Sequence, residues 1–187
     1  MLFRSLAPYF VEEVRRYLEK TYGTSAVHES GLKVYSTLNV DLQEDATAAV
    51  RQGLRDYDKR HGWRGPQKNL LGKERVNLES LELPEWKLPI RTNDIVPGIV
   101  LGATAESADI RIASYRAQLR PADIAWTNSK SPGEILKAGD VALFMVRSMS
   151  SADRKMELSL EQQPVVQGAL VAIEPQTGEI KIGRAHV

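Results

Sequence analysis

The chain has 187 residues, of which 42% are hydrophobic and 26% charged, and its formal net charge is +1. This length and balance are typical of one or two small globular domains with a real core. The near-neutral charge removes the bulk electrostatic argument for a nucleic-acid-binding protein. Because there is no cysteine, disulfides, zinc–thiolate sites and thiol nucleophiles are excluded. No apolar run approaches the roughly 20 residues of a membrane helix, and the first eight residues lack the pattern of a signal peptide.

The first predicted element is an amphipathic helix over residues 8–20. Pro8 suits the first helical position, where no amide donor is needed, and Gly23 is a plausible C-terminal stop. An apolar stripe on such a helix needs a partner surface. The stripe consists of Val11, Val14, Leu18 and Tyr22.

Residues 31–65 predict a strand, a helix and an exit loop. The β-branched and aromatic alternation over 32–37 is typical of a pleated strand. Asn39 then stands where an N-cap accepts a backbone N–H, and Asp41 suits the first turn of a helix over 41–60. The helix should end near His61, before Gly62. Its predicted apolar face consists of Leu42, Ala46, Ala49, Val50, Gly53, Leu54 and Tyr57.

The next stretch, residues 66–94, is mixed and aperiodic, and its prolines break any long element. We expect short turns or one helical turn there, held in place by Trp86. From Asp94 the period becomes two, with a bend or bulge expected at Pro97–Gly98. Short strands are predicted at 95–101, 108–115, 116–119, 124–126, 141–147 and 156–160.

Five or six short strands at roughly 8–12-residue spacing predict a small barrel, and their number suits an OB-like, partly open five-stranded Greek key. The side chains expected inside it are Ile110, Ile112, Val141, Leu143, Met156 and Leu158.

The last predicted element is a hairpin over residues 165–180, with its turn at 174–178. Both of its faces look buried. We expect the helix over 41–60 to pack Leu42, Ala46, Val50 and Leu54 against this hairpin. An Ala49→Asp change should then bury an unpaired charge.

Several stretches resemble class A penicillin-binding proteins, the bifunctional enzymes of bacterial cell-wall synthesis. V-Y-S-T-L-N at 34–39, L-Q at 42–43 and Y-D-K-R-H-G-W-R-G at 57–65 are similar to the segment that leads into their transpeptidase domain, with departures at Ser36, Asn39 and Val40. The segments A-P-Y-F-V-E-E-V-R at 7–15 and L-E-K-T-Y-G at 18–23 resemble their inter-domain linker. A-D-I-A-W, G-D-V and L-S-L-E-Q-Q-P resemble their OB-like insert, and V-Q-G-A-L-V-A-I-E-P-Q-T-G-E-I resembles the opening transpeptidase hairpin.

The resemblance implies an α+β fold, in which an OB-like β-barrel is inserted between a strand–helix unit and a β-hairpin of a truncated transpeptidase domain, preceded by an amphipathic linker helix. The implied divisions are a linker helix region at 1–30, a strand and helix of the transpeptidase core at 31–65, the OB-like insert at 66–163 and the first hairpin at 164–181. Residues 182–187 depart from the family pattern, and we expect them to be a non-native tail outside the fold.

The function implied is that of a non-catalytic linker and OB-like region of a peptidoglycan synthase, positioning the glycosyltransferase and transpeptidase domains at the periplasmic face of the bacterial inner membrane. Its main partner would be the remainder of the same synthase, and periplasmic regulators or peptidoglycan would be further partners. It would be attached to the membrane only through an N-terminal anchor outside this chain. A docking module for regulators is a variant of this hypothesis. The alternative is a free-standing OB-fold binder of single-stranded nucleic acid, which needs a basic groove with stacking aromatics.

No catalytic residue, cofactor site or metal site is predicted. The family's acyl transfer needs Ser-x-x-Lys, Ser-x-Asn and Lys-Thr-Gly motifs. One Ser-x-x-Lys string exists, from Ser30 to Lys33, but it precedes a predicted strand, where the lysine points away from the serine. The carboxylate pairs Glu12–Glu13 and Glu44–Asp45 fit ordinary surface charge. The three histidines, His28, His61 and His186, show no ligand spacing.

One polar and aromatic cluster follows the helix and has two interpretations. It could contact a glycan strand or a partner domain. It could instead fix the exit of the helix, with Trp63 packed and Arg60 paired, and this structural interpretation is favoured because buried aromatics usually anchor cores. The cluster consists of Tyr57, Arg60, His61, Trp63 and Arg64.

Overall fold

The computed structural model describes residues 7–71 and 76–186. Two compact units are formed by different parts of the chain. The barrel unit is one continuous segment, Tyr57–Gln163. The second unit is made of the described residues up to Asp56 together with those from Pro164 onward. Within the described ranges, no helix has the length and apolarity needed to cross a membrane.

The barrel unit is a closed β-barrel, as the sequence predicts. Its sheet has the order β1-β5-β2-β3-β4-β6, and an additional β5–β6 pairing closes it. All pairs are antiparallel except β4–β6, which meet in parallel at one position, Arg116 opposite Lys155. The strands are β1 (Lys68–Asn69), β2 (Ile95–Ala103), β3 (Ala108–Ile112), β4 (Tyr115–Leu119), β5 (Asp140–Ser150) and β6 (Lys155–Glu161).

The barrel interior is built by alternating side chains of all five long strands. Leu143 is wrongly predicted inside, since it is only half-buried. On β5 the neighbouring positions Ala142, Phe144 and Val146 are fully buried, so Leu143 lies on the opposite face of the strand. The other five side chains predicted inside are buried: Ile110, Ile112, Val141, Met156 and Leu158.

Strand β2 is regular where a bend was expected. Pro97 and Gly98 pair in register with β5, and the irregularity lies further on, between Val100 and Gly102. Glycine is needed at position 98 for packing. A β-carbon there would lie 2.8 Å from Phe144 Cδ2 and 2.9 Å from Ile110 Cγ2.

Short helical turns connect the strands. A 3₁₀ turn, Pro84–Lys87, buries Trp86, whose Nε1–H donates to the Pro97 carbonyl at 2.7 Å, so the predicted anchoring role is confirmed. The strand predicted at 124–126 is wrong, because Pro121–Thr127 is a second 3₁₀ helix. The Asp123 carboxylate accepts the Arg120 N–H at 2.9 Å, and this local bond, with proline at the first position, favours the turn over a strand. A one-turn helix, α4 (Pro132–Ile135), precedes β5.

The loop before β2 is held to the barrel by Arg111 of β3. This side chain is buried, donates to the carbonyls of Leu78, Leu81 and Ala113, and lies 4.8 Å from the Trp86 ring centroid. A guanidinium with five donors can satisfy several carbonyls at once. One side chain of the barrel therefore satisfies two carbonyls of this loop, those of Leu78 and Leu81.

The second unit contains helices α1 (Pro8–Tyr22) and α2 (Thr24–Glu29), α3 (Val40–Arg60) as far as Asp56, and the hairpin of β7 (Ala169–Ile173) with β8 (Ile180–His186). The predicted strand over 32–37 is wrong. That segment is irregular and exposed, and it reaches β8 through two bonds, from Thr37 Oγ1 to the Ile180 carbonyl and from the Asn39 N–H to the Lys181 carbonyl, both 2.9 Å. A strand needs a continuous ladder that two bonds do not provide.

Helix α3 begins as predicted. The Asn39 side-chain oxygen accepts the Leu42 N–H at 3.0 Å. The predicted apolar face is confirmed at Ala46, which is buried, and at Val50 and Leu54, which are half-buried. It is wrong at Leu42, which is 44% exposed, and at Ala49, which is exposed. The buried position in the first turn is Gln43 instead. The expected effect of Ala49→Asp is therefore wrong, since its charge would reach water.

The helix contacts the hairpin at two points. Gln43 Oε1 accepts the Gly183 N–H at 2.9 Å, and Leu54 Cδ2 would lie 3.2 Å from a β-carbon at Gly168. Helix α1 covers the same strand, since a β-carbon at Gly183 would overlap the Phe10 ring. Residues 182–186 are thus part of β8, although the sequence analysis left them out of the fold.

The expectation that both hairpin faces are buried is also wrong. Val171 and Ile173 are 56% and 58% exposed. Among the described residues, α1 and α3 contact this two-stranded sheet, and they leave Val171 and Ile173 facing solvent.

The Gly98 contact makes a direct packing prediction. Gly98→Ala should lower the free energy of unfolding by about 1–3 kcal/mol, because the new methyl group collides with Phe144 and Ile110. Gly102→Ala is the matched control on the same strand, since a β-carbon there meets nothing within 4 Å. Urea denaturation that gave equal midpoints for the two variants would show that the barrel interior can expand at this point.

The corrected face of α3 makes a second prediction. Ala46→Asp should destabilise the second unit by more than about 2 kcal/mol, because it places a carboxylate where Ala46 is 7% exposed. Ala49→Asp, three positions along on an exposed turn, should cost less than about 1 kcal/mol. Native-state hydrogen exchange of the α3 amides distinguishes the two, and equal protection would contradict the assignment of the buried face.

Candidate functional site

The Ser-x-x-Lys string does not form a catalytic arrangement in the structure. Ser30 caps the C-terminus of α2, and Lys33 lies in the irregular segment that follows; both are exposed. No hydrogen bond joins the two side chains in the part of the chain that the structure describes. A nucleophile of this kind needs a base within hydrogen-bond reach.

The carboxylate pairs and histidines make local contacts. Glu12 binds Arg15 at 2.7 Å and Arg16 at 3.1 Å, and the Arg15 hydrogen bond is the main cause that lowers the pKa of Glu12 to about 2. His28 contacts Glu19 at 2.8 Å, and this bond lowers the pKa of Glu19. Glu44 and Asp45 are exposed.

His61 Nδ1 lies 2.9 Å from the Tyr57 carbonyl, and the His186 side chain falls outside the described residues. Over residues 7–71 and 76–186 no group of three or more potential metal-ligating side chains comes together.

In the polar and aromatic cluster at the end of α3, Trp63 and Arg64 make contacts that stabilise the fold. The Trp63 ring meets Trp126 edge to face, with centroids 5.9 Å apart. Arg60 pairs with a ring, lying 5.7 Å from the Tyr57 centroid. The ion pair belongs instead to Arg64, whose Nη1 lies 2.8 Å from Asp58 Oδ1.

Asp58 and Arg64 belong to a larger group that joins the two ends of the barrel unit. We call it the neck cluster. Gln162 Nε2 donates to Asp58 Oδ2 at 2.8 Å and to the Gly62 carbonyl at 2.9 Å, while Gln162 Oε1 accepts the Arg64 N–H at 3.2 Å. Arg64 Nη2 also donates to the Gln163 carbonyl at 2.6 Å. The neck cluster consists of Asp58, Lys59, Arg64, Glu161 and Gln162.

The second ion pair of the neck cluster is more deeply enclosed. Lys59 Nζ lies 2.6 Å from Glu161 Oε1 and 5.4 Å from the Trp126 ring centroid. The Glu161 side chain is 2% exposed. Its second oxygen, Oε2, has no hydrogen-bond partner among the described residues. The charge of Lys59 is therefore the main compensation for burying this carboxylate.

Of the five members of the neck cluster, sequence analysis named Arg64 and missed the other four: Asp58, Lys59, Glu161 and Gln162. Asp58 had a weak signal, since it continues the buried face of α3 beyond Leu54 at helical spacing. Glu161 and Gln162 had none, because their partners lie about a hundred positions earlier in the chain.

A groove of about 1050 Å³ is lined by residues of β2 to β6. The lining includes the buried side chains Ile110, Met156 and Leu158 as well as exposed ones, and no aromatic side chain is among the lining residues. Four cationic and five anionic side chains face it: Arg116, Arg120, Arg147, Lys155, Glu79, Asp109, Asp123, Asp153 and Glu157.

Comparisons with known proteins agree on one family. Residues 63–166 match the family model described as "Penicillin-binding protein OB-like domain". Penicillin-binding protein 1A of Vibrio cholerae is 31% identical over 93% of this chain and 22% of its own length, and that of Neisseria gonorrhoeae is 30% identical over 94% and 22%. The chain therefore spans about a fifth of the length of these relatives.

A solved structure gives the same result. The crystal structure of penicillin-binding protein 1A from Haemophilus influenzae matches 97% of this chain and 26% of that chain, with a TM-score of 0.71 and 28% identity. The similarity thus includes both compact units of this chain.

The neck cluster makes a stability prediction. Asp58→Ala should destabilise the barrel unit by about 2–3 kcal/mol, because Arg64 and Gln162 lose a buried acceptor. The cost stays below that of a fully enclosed pair because the Arg64 side chain is 38% exposed.

Asp56→Ala is the matched control. Asp56 is exposed on the same helix and accepts a hydrogen bond from Gln52 at 2.7 Å, and its loss should change stability by less than about 0.5 kcal/mol. Thermal unfolding of the whole chain measures both, and indistinguishable melting temperatures would show that the neck cluster does not hold the barrel.

Proposed function

The chain belongs to the family of the penicillin-binding protein OB-like domain, and from that premise we propose that it is the non-catalytic linker and OB-like region of a bifunctional peptidoglycan synthase. In this role it positions the glycosyltransferase and transpeptidase domains of one polypeptide. The observation that carries the proposal is the neck cluster. A domain inserted into another must receive and return the chain at one place, and the neck cluster bonds residues 58–64 to residues 161–163.

The composition of the second unit supports the proposal. Its residues come from both sides of the barrel in sequence, as expected when a barrel interrupts another domain. Its hairpin leaves Val171 and Ile173 exposed, and Tyr17 on α1 is 66% exposed. Apolar surfaces of this kind mark interaction sites. In the proposed synthase the hairpin would pack on the rest of the transpeptidase sheet, and α1 would pack on the domains that adjoin the linker.

The proposed domain limits follow the family pattern. Residues 1–30 are the linker helix region, 31–65 the start of the transpeptidase core, 66–163 the OB-like insert and 164–181 the first transpeptidase hairpin. In the parent protein these segments would lie at the periplasmic face of the inner membrane. Peptidoglycan and periplasmic regulators are the proposed partners beyond the synthase itself.

The first test asks whether the chain lacks acylation activity. Incubated with a fluorescent penicillin and run on a denaturing gel, the purified chain should show no labelled band, while full-length penicillin-binding protein 1A from Haemophilus influenzae serves as the positive control. The physical reason is that Ser30 and Lys33, the one Ser-x-x-Lys string of the sequence, form no hydrogen bond with each other in the described residues, so this serine has no lysine base within reach. A band that disappears with Ser30→Ala would overturn the non-catalytic assignment.

The positioning role is tested in the full-length synthase. Asp58→Ala should leave glycan polymerisation intact and reduce the cross-linking of the polymer severalfold, since the two ends of the barrel are no longer held together. Asp56→Ala should behave as the unaltered protein does. Equal cross-linking by both variants would show that the barrel does not position the catalytic domains.

A further inference from the structure

We propose that the barrel unit binds a buried water molecule between the carboxylate of Glu161, the hydroxyl of Ser159 and the indole N–H of Trp63. This inference does not depend on the proposed positioning function, because it uses only contacts within the barrel unit. Three observations carry it: the burial of these polar groups, their placement around β6, and the match between their donors and acceptors.

Three polar atoms of the barrel unit are enclosed and have no hydrogen-bond partner among the described residues: Glu161 Oε2, Ser159 Oγ and Trp63 Nε1. Glu161 and Ser159 are only 2% and 5% exposed, so bulk solvent does not reach them. A buried polar group without a partner costs free energy, and folded proteins satisfy nearly all such groups with protein atoms or ordered water. A partner that the protein does not supply is therefore expected here.

The two polar side chains of β6 lie on one face of the strand. Ser159 and Glu161 are two positions apart and pair with Met145 and Leu143 of β5 in unbroken register. Both therefore leave the strand on the face opposite the core residues Leu158 and Leu160. An outer face is ordinarily wet, but here both side chains are buried, so other parts of the barrel unit cover them.

The indole rings of Trp126 and Trp63 lie at this part of β6. The Trp126 Nε1–H donates to the carbonyl of Leu160, the residue between Ser159 and Glu161, at 3.0 Å. The Trp63 ring packs edge to face on Trp126, with centroids 5.9 Å apart. The unpartnered N–H of Trp63 is thus placed in the same enclosed layer as the two side chains of β6.

The three groups have the donors and acceptors that one water molecule needs. The indole N–H only donates, an ionised carboxylate oxygen only accepts, and the serine hydroxyl does either. A water molecule can accept from Trp63, donate to Glu161 and bond Ser159. That gives about three hydrogen bonds, the usual number for a buried water.

The charges around the site favour water over an ion. Lys59 Nζ lies 2.6 Å from Glu161 Oε1 and already balances the carboxylate, so a second cation would be in excess. An anion would be repelled by the Glu161 carboxylate. A neutral molecule that both accepts and donates satisfies the three groups without adding charge.

The experiment measures dipolar contact between water and the indole protons of the whole ¹⁵N-labelled chain. Water-selective transfer is recorded in the rotating frame, where a dipolar contact and chemical exchange give opposite signs. The Trp63 indole proton should show a dipolar signal to water. The Trp86 indole proton is the internal control and should show none, because its N–H is buried and donates to the Pro97 carbonyl at 2.7 Å. No signal at Trp63, or an equal one at Trp86, would overturn the proposal.

A double variant locates the bound water. Lys59→Met combined with Glu161→Met removes the buried ion pair as a unit, which proteins tolerate better than the loss of one partner, and it should abolish the Trp63 signal. Glu157→Met is the matched control, on the same face of β6 but exposed, and should leave the signal unchanged. A Trp63 signal that survives the double variant, with the Trp86 resonance unshifted, would reject Glu161 as a ligand of the water.

A single variant separates bound water from the serine hydroxyl, whose proton exchanges with solvent and can relay the same signal. In Ser159→Ala the water keeps Glu161 and Trp63 as partners, so the Trp63 signal should persist. Loss of the signal in this variant would show that Trp63 contacts the hydroxyl directly, and the proposal would be wrong.

Discussion

The buried carboxylate of Asp58 and the amide of Gln162 impose the constraint on which the barrel unit depends. They bring together positions that are about a hundred residues apart, and the Arg64 guanidinium satisfies the remaining charge. Without these bonds, nothing at this place would hold the two chain ends of the barrel unit together. The entropic cost of keeping the ends close would then oppose a fixed distance between them. The ion pairs Asp58–Arg64 and Lys59–Glu161 and the three hydrogen bonds of the Gln162 amide fix how the two chain ends meet, because each donor N–H points at one acceptor within hydrogen-bond distance.

The two units are stabilised in different ways. The barrel has a continuous core, and even its polar attachments, such as Arg111 over Trp86, are enclosed. The second unit buries few side chains, and one of its best-buried groups is the amide of Gln43 rather than an apolar chain. A unit whose helices and hairpin retain exposed apolar surface gains stability from what it packs against, so its folding is linked to neighbours in a way that the barrel's folding is not.

Structure that depends on neighbouring residues could be predicted from the sequence, whereas contacts between residues far apart in the chain could not. The Asn39 cap and the two-residue period of the barrel strands depend on neighbours within a few positions, and both are confirmed. The strand expected at 32–37 failed because a strand depends on a partner ladder that pattern alone does not guarantee. The neck cluster was missed for the same reason, since nothing near Gln162 indicates that its amide meets Asp58. The buried face of α3 was predicted correctly at Ala46 and wrongly at Leu42, because the polar Gln43 occupies the buried position in the first turn.

Strand alternation gives the barrel two faces with different chemistry. On β3 the side chain of Ile110 is buried in the core while its neighbour Asp109 is exposed, and on β6 Met156 is buried while Lys155 is exposed. A change on the outer face therefore alters the surface charge without disturbing core packing. The neck cluster joins the two ends of the unit, and Asp58, Arg64 and Gln162 are not members of the hydrophobic core. Core packing and the bonds between the chain ends are thus provided by different side chains.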